Sequence, residues 1–124
     1  MPNFSWEPLD FLEALEVVPV EEEYGISYRY LVTRGLVSLQ LSIWPLDGDV
    51  ELLLTCEGIA EPLVRLNLLE CPGARVVRDH QGTSIEFSAA KSFGGRYDHT
   101  DAPPYGFRLQ VQPFIQVTTF SYPA

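Results

Sequence analysis

The stretch YGISYRYLVTRGLVSLQLSIWPLDGDVELLLTC, residues 24–56, decides the fold, because its apolar residues recur at every second position. Tyr24, Ile26, Tyr28, Tyr30 and Val32 alternate with Gly25, Ser27, Arg29, Leu31 and Thr33. After Arg34-Gly35, Val37, Leu39, Leu41 and Ile43 alternate with Ser38, Gln40 and Ser42. A strand turns successive side chains to opposite faces, so a period of two predicts strands with one buried face. Asp47-Gly48 tolerates the positive φ of a tight hairpin turn and leads into a third strand, Val50 to Cys56. Three strands joined by short turns form an antiparallel meander.

Downstream the same pattern continues. Val64, Leu66 and Leu68 alternate with Arg65 and Asn67; Ala74 to Asp79 is a weaker strand; His80-Gln81-Gly82 turns it into Thr83 to Ala89, with Ile85 and Phe87 inward. Phe107, Leu109 and Val111 mark another strand, and Phe114 to Ser121 the last, after Pro113. Strands at this spacing fit a sandwich or barrel. The connection from Ala90 to Gly106 is the one long loop.

Upstream the period changes. Ser5 is placed to cap a helix whose first turn holds Pro8, and Leu9, Leu12 and Leu15 recur at steps of three, with Phe11 and Ala14 widening the stripe. Pro19 ends this helix, since the residue before a proline avoids helical dihedrals. The expected architecture is one domain over 1–124: an acidic helix and linker at 1–23, then a β domain at 24–122. It is mainly β, an antiparallel β-sandwich of about eight strands with one short N-terminal helix. The alternative is a single curved antiparallel sheet with the helix packed on one face, α+β, since Trp6, Leu9 and Leu12 need an apolar surface.

The net charge of −9 is concentrated at the amino terminus. Residues 1–28 carry seven acids and no lysine or arginine, while the remaining ten acids and eight bases nearly balance. Such a chain is repelled by phosphate backbones and anionic lipid, so nucleic acid and membrane are not expected partners, and a basic protein is. No apolar run reaches the ~20 residues of a membrane span, and the first residues lack a secretory signal, so a soluble, cytoplasmic protein is expected. Cys56 ends a strand and Cys71 lies in a Cys-Pro-Gly turn beyond the next one, which implies free thiols, and neither belongs to a zinc-binding pattern.

Four stretches carry candidate chemistry. Glu13, Glu16, Glu21, Glu22 and Glu23 form a one-signed surface suited to steering a basic partner, or else a solvated face. Asp47, Asp49 and Glu51 could offer oxygens to Ca²⁺, but position twelve of an EF-hand loop would fall on Gly58, and Asp-Gly reads as a hairpin. Asp98, His99 and Asp101 could support acid–base chemistry, yet too few further ligands accompany them for a metal site. Around them Phe93, Arg96, Tyr97, Tyr105 and Arg108, with Phe107, have the aromatic and arginine composition of a contact patch, or of plugs closing the core.

From Leu109 onward the chain carries no charge. The strand Phe114 to Ser121 is read as central and covered on both sides; at an edge it would be open to pairing with a second copy of the chain.

These features favour a non-enzymatic, protein-binding domain with no cofactor and no metal, contacting a basic partner through the acidic segment and the aromatic loop. Small immunity proteins that neutralise basic toxins match this description in size and charge, though no sequence motif links them to this chain. The alternatives are a small-molecule or carbohydrate-binding β module and an enzyme with a polar site around His99.

Overall fold

The computed structural model describes residues 4–80, 82–89, 103 and 105–121. Two antiparallel meanders face each other. The first sheet runs β1 (Val20–Glu21), β2 (Tyr28–Arg34), β3 (Val37–Trp44), β4 (Asp49–Cys56) and β5 (Val64–Leu68) in chain order. The second runs β6 (Ala74–Asp79), β7 (Gly82–Ser88), β8 (Tyr105–Gln110) and β9 (Gln116–Ser121). Among the described residues, nine strands in two sheets bear out the sandwich over the single curved sheet.

Register explains the burial. Tyr30, Leu41, Leu52 and Leu66 lie in one cross-strand row of the first sheet, and Val32, Leu39, Leu54 and Val64 in the next. Val76, Ile85, Leu109 and Val117 form the matching row of the second sheet. Their side chains meet in one core between the sheets. A slip of one residue would turn each row to solvent, so the alternation that predicts the strands also locks their pairing.

The helix differs from its sequence reading. It spans Pro8–Leu15, with Glu7 rather than Ser5 as N-cap, and the Glu7 carboxylate accepts the Leu9 N–H at 3.2 Å. Ser5 instead joins a bridge to Gly73. The helix α1 ends at Leu15, ahead of Pro19, on a left-handed Glu16 (φ 60°) whose N–H donates to the Leu12 carbonyl. Its buried face is Phe11, Ala14 and Leu15, while Leu9 is 67% exposed. At about 100° per residue, each three-residue step falls about 60° short of a full turn, so Leu9, Leu12 and Leu15 wind away from one face. Residues spaced three and four apart, as Phe11, Ala14 and Leu15 are, share one.

Two strand boundaries also shift. Tyr24 to Ser27 belong to a turn, and Val20–Glu21 pair with Arg29 and Tyr28, so the sheet begins inside the expected linker. The strand β9 sits at the edge of its sheet, not at its centre. Gln112-Pro113 is a cis peptide in the β8–β9 connection.

The sheets are stitched at one corner. The Phe4 N–H donates to the Pro45 carbonyl and the Ser5 N–H to the Pro72 carbonyl, both at 2.8 Å, while the Ala74 N–H returns to Ser5 at 3.0 Å. The Cys71 N–H donates to the Gly48 carbonyl at 2.7 Å. Both cysteines are free, and the buried Cys71 thiol donates to the Ser88 carbonyl at 3.0 Å. Burial pushes that thiol up to about 12, so it is protonated and unreactive at neutral pH.

Gly48 combines a positive φ of 78° with a close approach, since a Cβ there would lie 2.7 Å from the Cys71 carbonyl oxygen. Gly35 has a similar φ of 62° with nothing within 4 Å. In urea unfolding, Gly35→Ala is expected to cost about 1 kcal/mol for backbone strain alone. Gly48→Ala is expected to cost about 2–4 kcal/mol, strain plus overpacking. Equal losses would contradict the corner contact.

Candidate interaction surfaces

The acidic surface is built on α1 and the segment after it. Phe11, Ala14 and Leu15 face inward, so Asp10, Glu13 and Glu16 stand on the outer side. The fold supplies them with bases that lie far away in sequence. Arg78 on β6 reaches Glu13 at 2.7 Å and Asp10 at 3.7 Å, and Arg34 at the end of β2 lies 3.6 Å from Glu16. Glu16 also accepts from the Gln112 side-chain amide, and Glu21 from the Tyr28 hydroxyl at 3.4 Å. These contacts are exposed, where an ion pair contributes only about 0.2–1 kcal/mol. They orient the carboxylates without hiding them, and two arginines leave most of the negative field of seven acids in place. Glu22 is exposed, and the Glu23 side chain lies outside the description.

The outer face of the second sheet is organised differently. Glu86 on β7 points away from the core yet is 1% exposed. Its two oxygens are held from both sides: Arg75 Nε of β6 donates to Oε1 at 2.9 Å, and Arg108 of β8 donates to Oε2 from Nη2 at 2.6 Å and Nε at 3.1 Å. The register sets this up, since Arg75, Glu86 and Arg108 are direct cross-strand neighbours. The Arg108 guanidinium also lies 5.3 Å from the centre of the Phe120 ring. A buried carboxylate with charge-assisted bonds to both oxygens is a rigid structural group.

Cavities lined by described residues open on the outer faces. One of about 230 Å³ is lined by Asp79, Gly82, Ser84, Arg108, Gln110, Gln116 and Thr118. Another, of about 290 Å³, is lined by Trp44, Asp47, Asp49, Val50, Glu51, Asn67 and Leu69. As lined by the described residues, the first falls below and the second reaches the lower end of the roughly 300–1,000 Å³ of usual small-molecule sites. Asp47, Asp49 and Glu51 thus share a groove around the Asp-Gly hairpin, but among the described residues no group of three His, Cys, Asp or Glu side chains could hold a metal ion.

The aromatic contact patch divides. Phe107 is buried in the core, Tyr105 at the start of β8 is exposed, and Arg108 is committed to Glu86 and Phe120. Phe93, Arg96, Tyr97, Asp98, His99 and Asp101 lie outside the described residues. The Arg75–Glu86–Arg108 group was missed by sequence reasoning. Its only signal is a charge at an outward strand position, which ordinarily marks a solvated residue.

No family model matches the chain, and no curated protein matches its sequence. Among solved structures it is similar to a chain of a contact-dependent growth inhibition toxin–immunity protein complex from Klebsiella pneumoniae 342. The likeness spans 97% of each chain with a TM-score of 0.73 at 14% identity, and at that identity it is one of fold.

Replacing Glu86 by Gln would leave Arg75 and Arg108 without their shared counter-charge. Denaturant unfolding is expected to show a loss of about 3 kcal/mol for Glu86→Gln. The exposed pair lost in Glu13→Gln is expected to cost less than about 1 kcal/mol. A similar, small loss for both would show that Glu86 is not structural.

Proposed function

We propose that this chain is an immunity-like domain that binds a basic toxin and neutralises it by occupying its surface. The observation that carries this reading is the match of the whole fold, over 97% of both chains, to a chain of a toxin–immunity complex. Charge supports the immunity role over the toxin role. With a net charge of −9, most of it from seven acids between Glu7 and Glu23, the chain presents a field that attracts a basic protein and speeds encounter. The described acids need no catalytic chemistry for this. They act by attraction and by covering surface, and a rigid sandwich holds them in place.

The test is growth rescue in a bacterial host making contact-dependent growth inhibition toxin domains from the same genome as the chain. One of these domains is expected to arrest growth, and the chain to restore it. With the purified pair, changing Glu13, Glu16, Glu21, Glu22 and Glu23 together to Gln is expected to slow association about 10-fold or more at low salt and to leave dissociation nearly unchanged, because exposed charges act mainly on the encounter. An association rate indifferent to both salt and these substitutions would contradict electrostatic capture.

A further inference from the structure

The turn joining β1 to β2 carries Tyr24, which at 92% exposure is the most exposed large hydrophobic side chain among the described residues. The turn itself is well defined. The Gly25 N–H donates to the Glu22 carbonyl and the Glu22 N–H to the Ser27 carbonyl, both at 2.9 Å. This closure places Tyr24 in the left-handed region, at φ 61° and ψ 22°. Glycine or asparagine suits that conformation, and a bulky side chain is an outlier there. The ring buries almost nothing in return. A residue that strains its own backbone and adds little to the core is not explained by folding, and such residues cluster where proteins bind.

The neighbours of Tyr24 share the same character. Val18, Val20 and Ile26 are all exposed, and Glu21 and Glu22 are interleaved with them. A protruding tyrosine among aliphatic residues, rimmed by charge, has the composition of an interface hot spot. The charged residues of the turn itself, Glu21 and Glu22, are both acidic, and the nearest base along the ladder is Arg29, opposite Val20.

We infer that the β1–β2 turn is the anchor by which the chain grips its basic toxin, with Tyr24 entering an apolar pocket of the toxin and Glu21 and Glu22 meeting lysine or arginine at the pocket's edge. This rests on the neutralising role proposed above and names the site that performs it. The carboxylates of α1 guide the encounter; the ring at the turn slows dissociation.

The probe is the purified toxin domain whose growth arrest the wild-type chain relieves. Tyr24→Asn and Tyr24→Gly remove the ring and relieve the backbone, so the melting temperature is expected to hold or rise while affinity for the toxin falls at least 30-fold, mainly through faster dissociation. Tyr24→Phe is expected to stay within about 3-fold of wild type, since ring burial dominates. Leu36→Asn, at another exposed apolar position (62%), is expected to leave affinity unchanged. If wild type binds and Tyr24→Asn binds equally well, the anchor is overturned while the neutralising role stands. A melting temperature lowered by several degrees in both variants would also overturn it, by showing a structural role for the ring. If wild type relieves no toxin's arrest, the neutralising role fails and takes the anchor with it.

Discussion

The sandwich depends on the ring of Phe11. Among the described residues the two meanders share no strand ladder, so they are joined by the core and by the amino-terminal segment laid across one corner. Phe11 is fully buried where these meet, with ring centres 4.9 Å from Trp6, 6.0 Å from Tyr30 of the first sheet and 5.9 Å from Phe87 of the second. From Phe87 the contacts continue to Phe107 at 4.8 Å, and from Trp6 to Tyr28 at 5.3 Å. Each such pair is worth about 0.5–1.5 kcal/mol beyond the area it buries. The helix is thus part of the core, and its acidic outer side stands on a packed inner face. Packing on one face of α1 fixes where the carboxylates on the other face stand.

That coupling separates two uses of charge. Glu86, between Arg75 and Arg108, is spent on structure, with both oxygens bonded and no exposed surface to offer. Glu13 and Glu16 touch arginines too, but in solvent, where their field still reaches outward. Burial rather than partner type sets the difference, since desolvation strengthens the interaction and commits the group at the same time. An acidic protein that captures a basic partner needs the second kind of carboxylate on its surface and can keep the first kind inside its sheet.

How much of this was legible in the sequence follows from the range of each interaction. Alternation in residues 24–56 and the Asp47-Gly48 turn are local, and they located β3 and β4 to within a residue or two, while β2 begins at Tyr28, four residues later than its pattern. The helix was found with Phe11, Ala14 and Leu15 in its stripe, but the stripe was drawn too wide because Leu9, Leu12 and Leu15 look periodic while precessing around the axis. Tyr24 fitted an alternating pattern, yet Gly25 after it and the hydrogen bonds that close the turn remove it from the strand. The pairing of Glu13 with Arg78 depends on how α1 packs beside β6, and that of Glu86 with two arginines on strand register; no local window contains either. The acidic segment was visible as composition, and its role as a rigid surface only once Phe11 was seen between the sheets.

The central claim is that α1 and the β1–β2 turn carry the contact surface, and that the sandwich is its support. Hydrogen–deuterium exchange on the chain alone and bound to the proposed toxin partner tests this most directly. The account predicts slowed exchange on binding in residues 10–28, with the outer face of the second sheet unchanged. Protection confined to β8 and β9, with residues 10–28 exchanging as in the free chain, would contradict it.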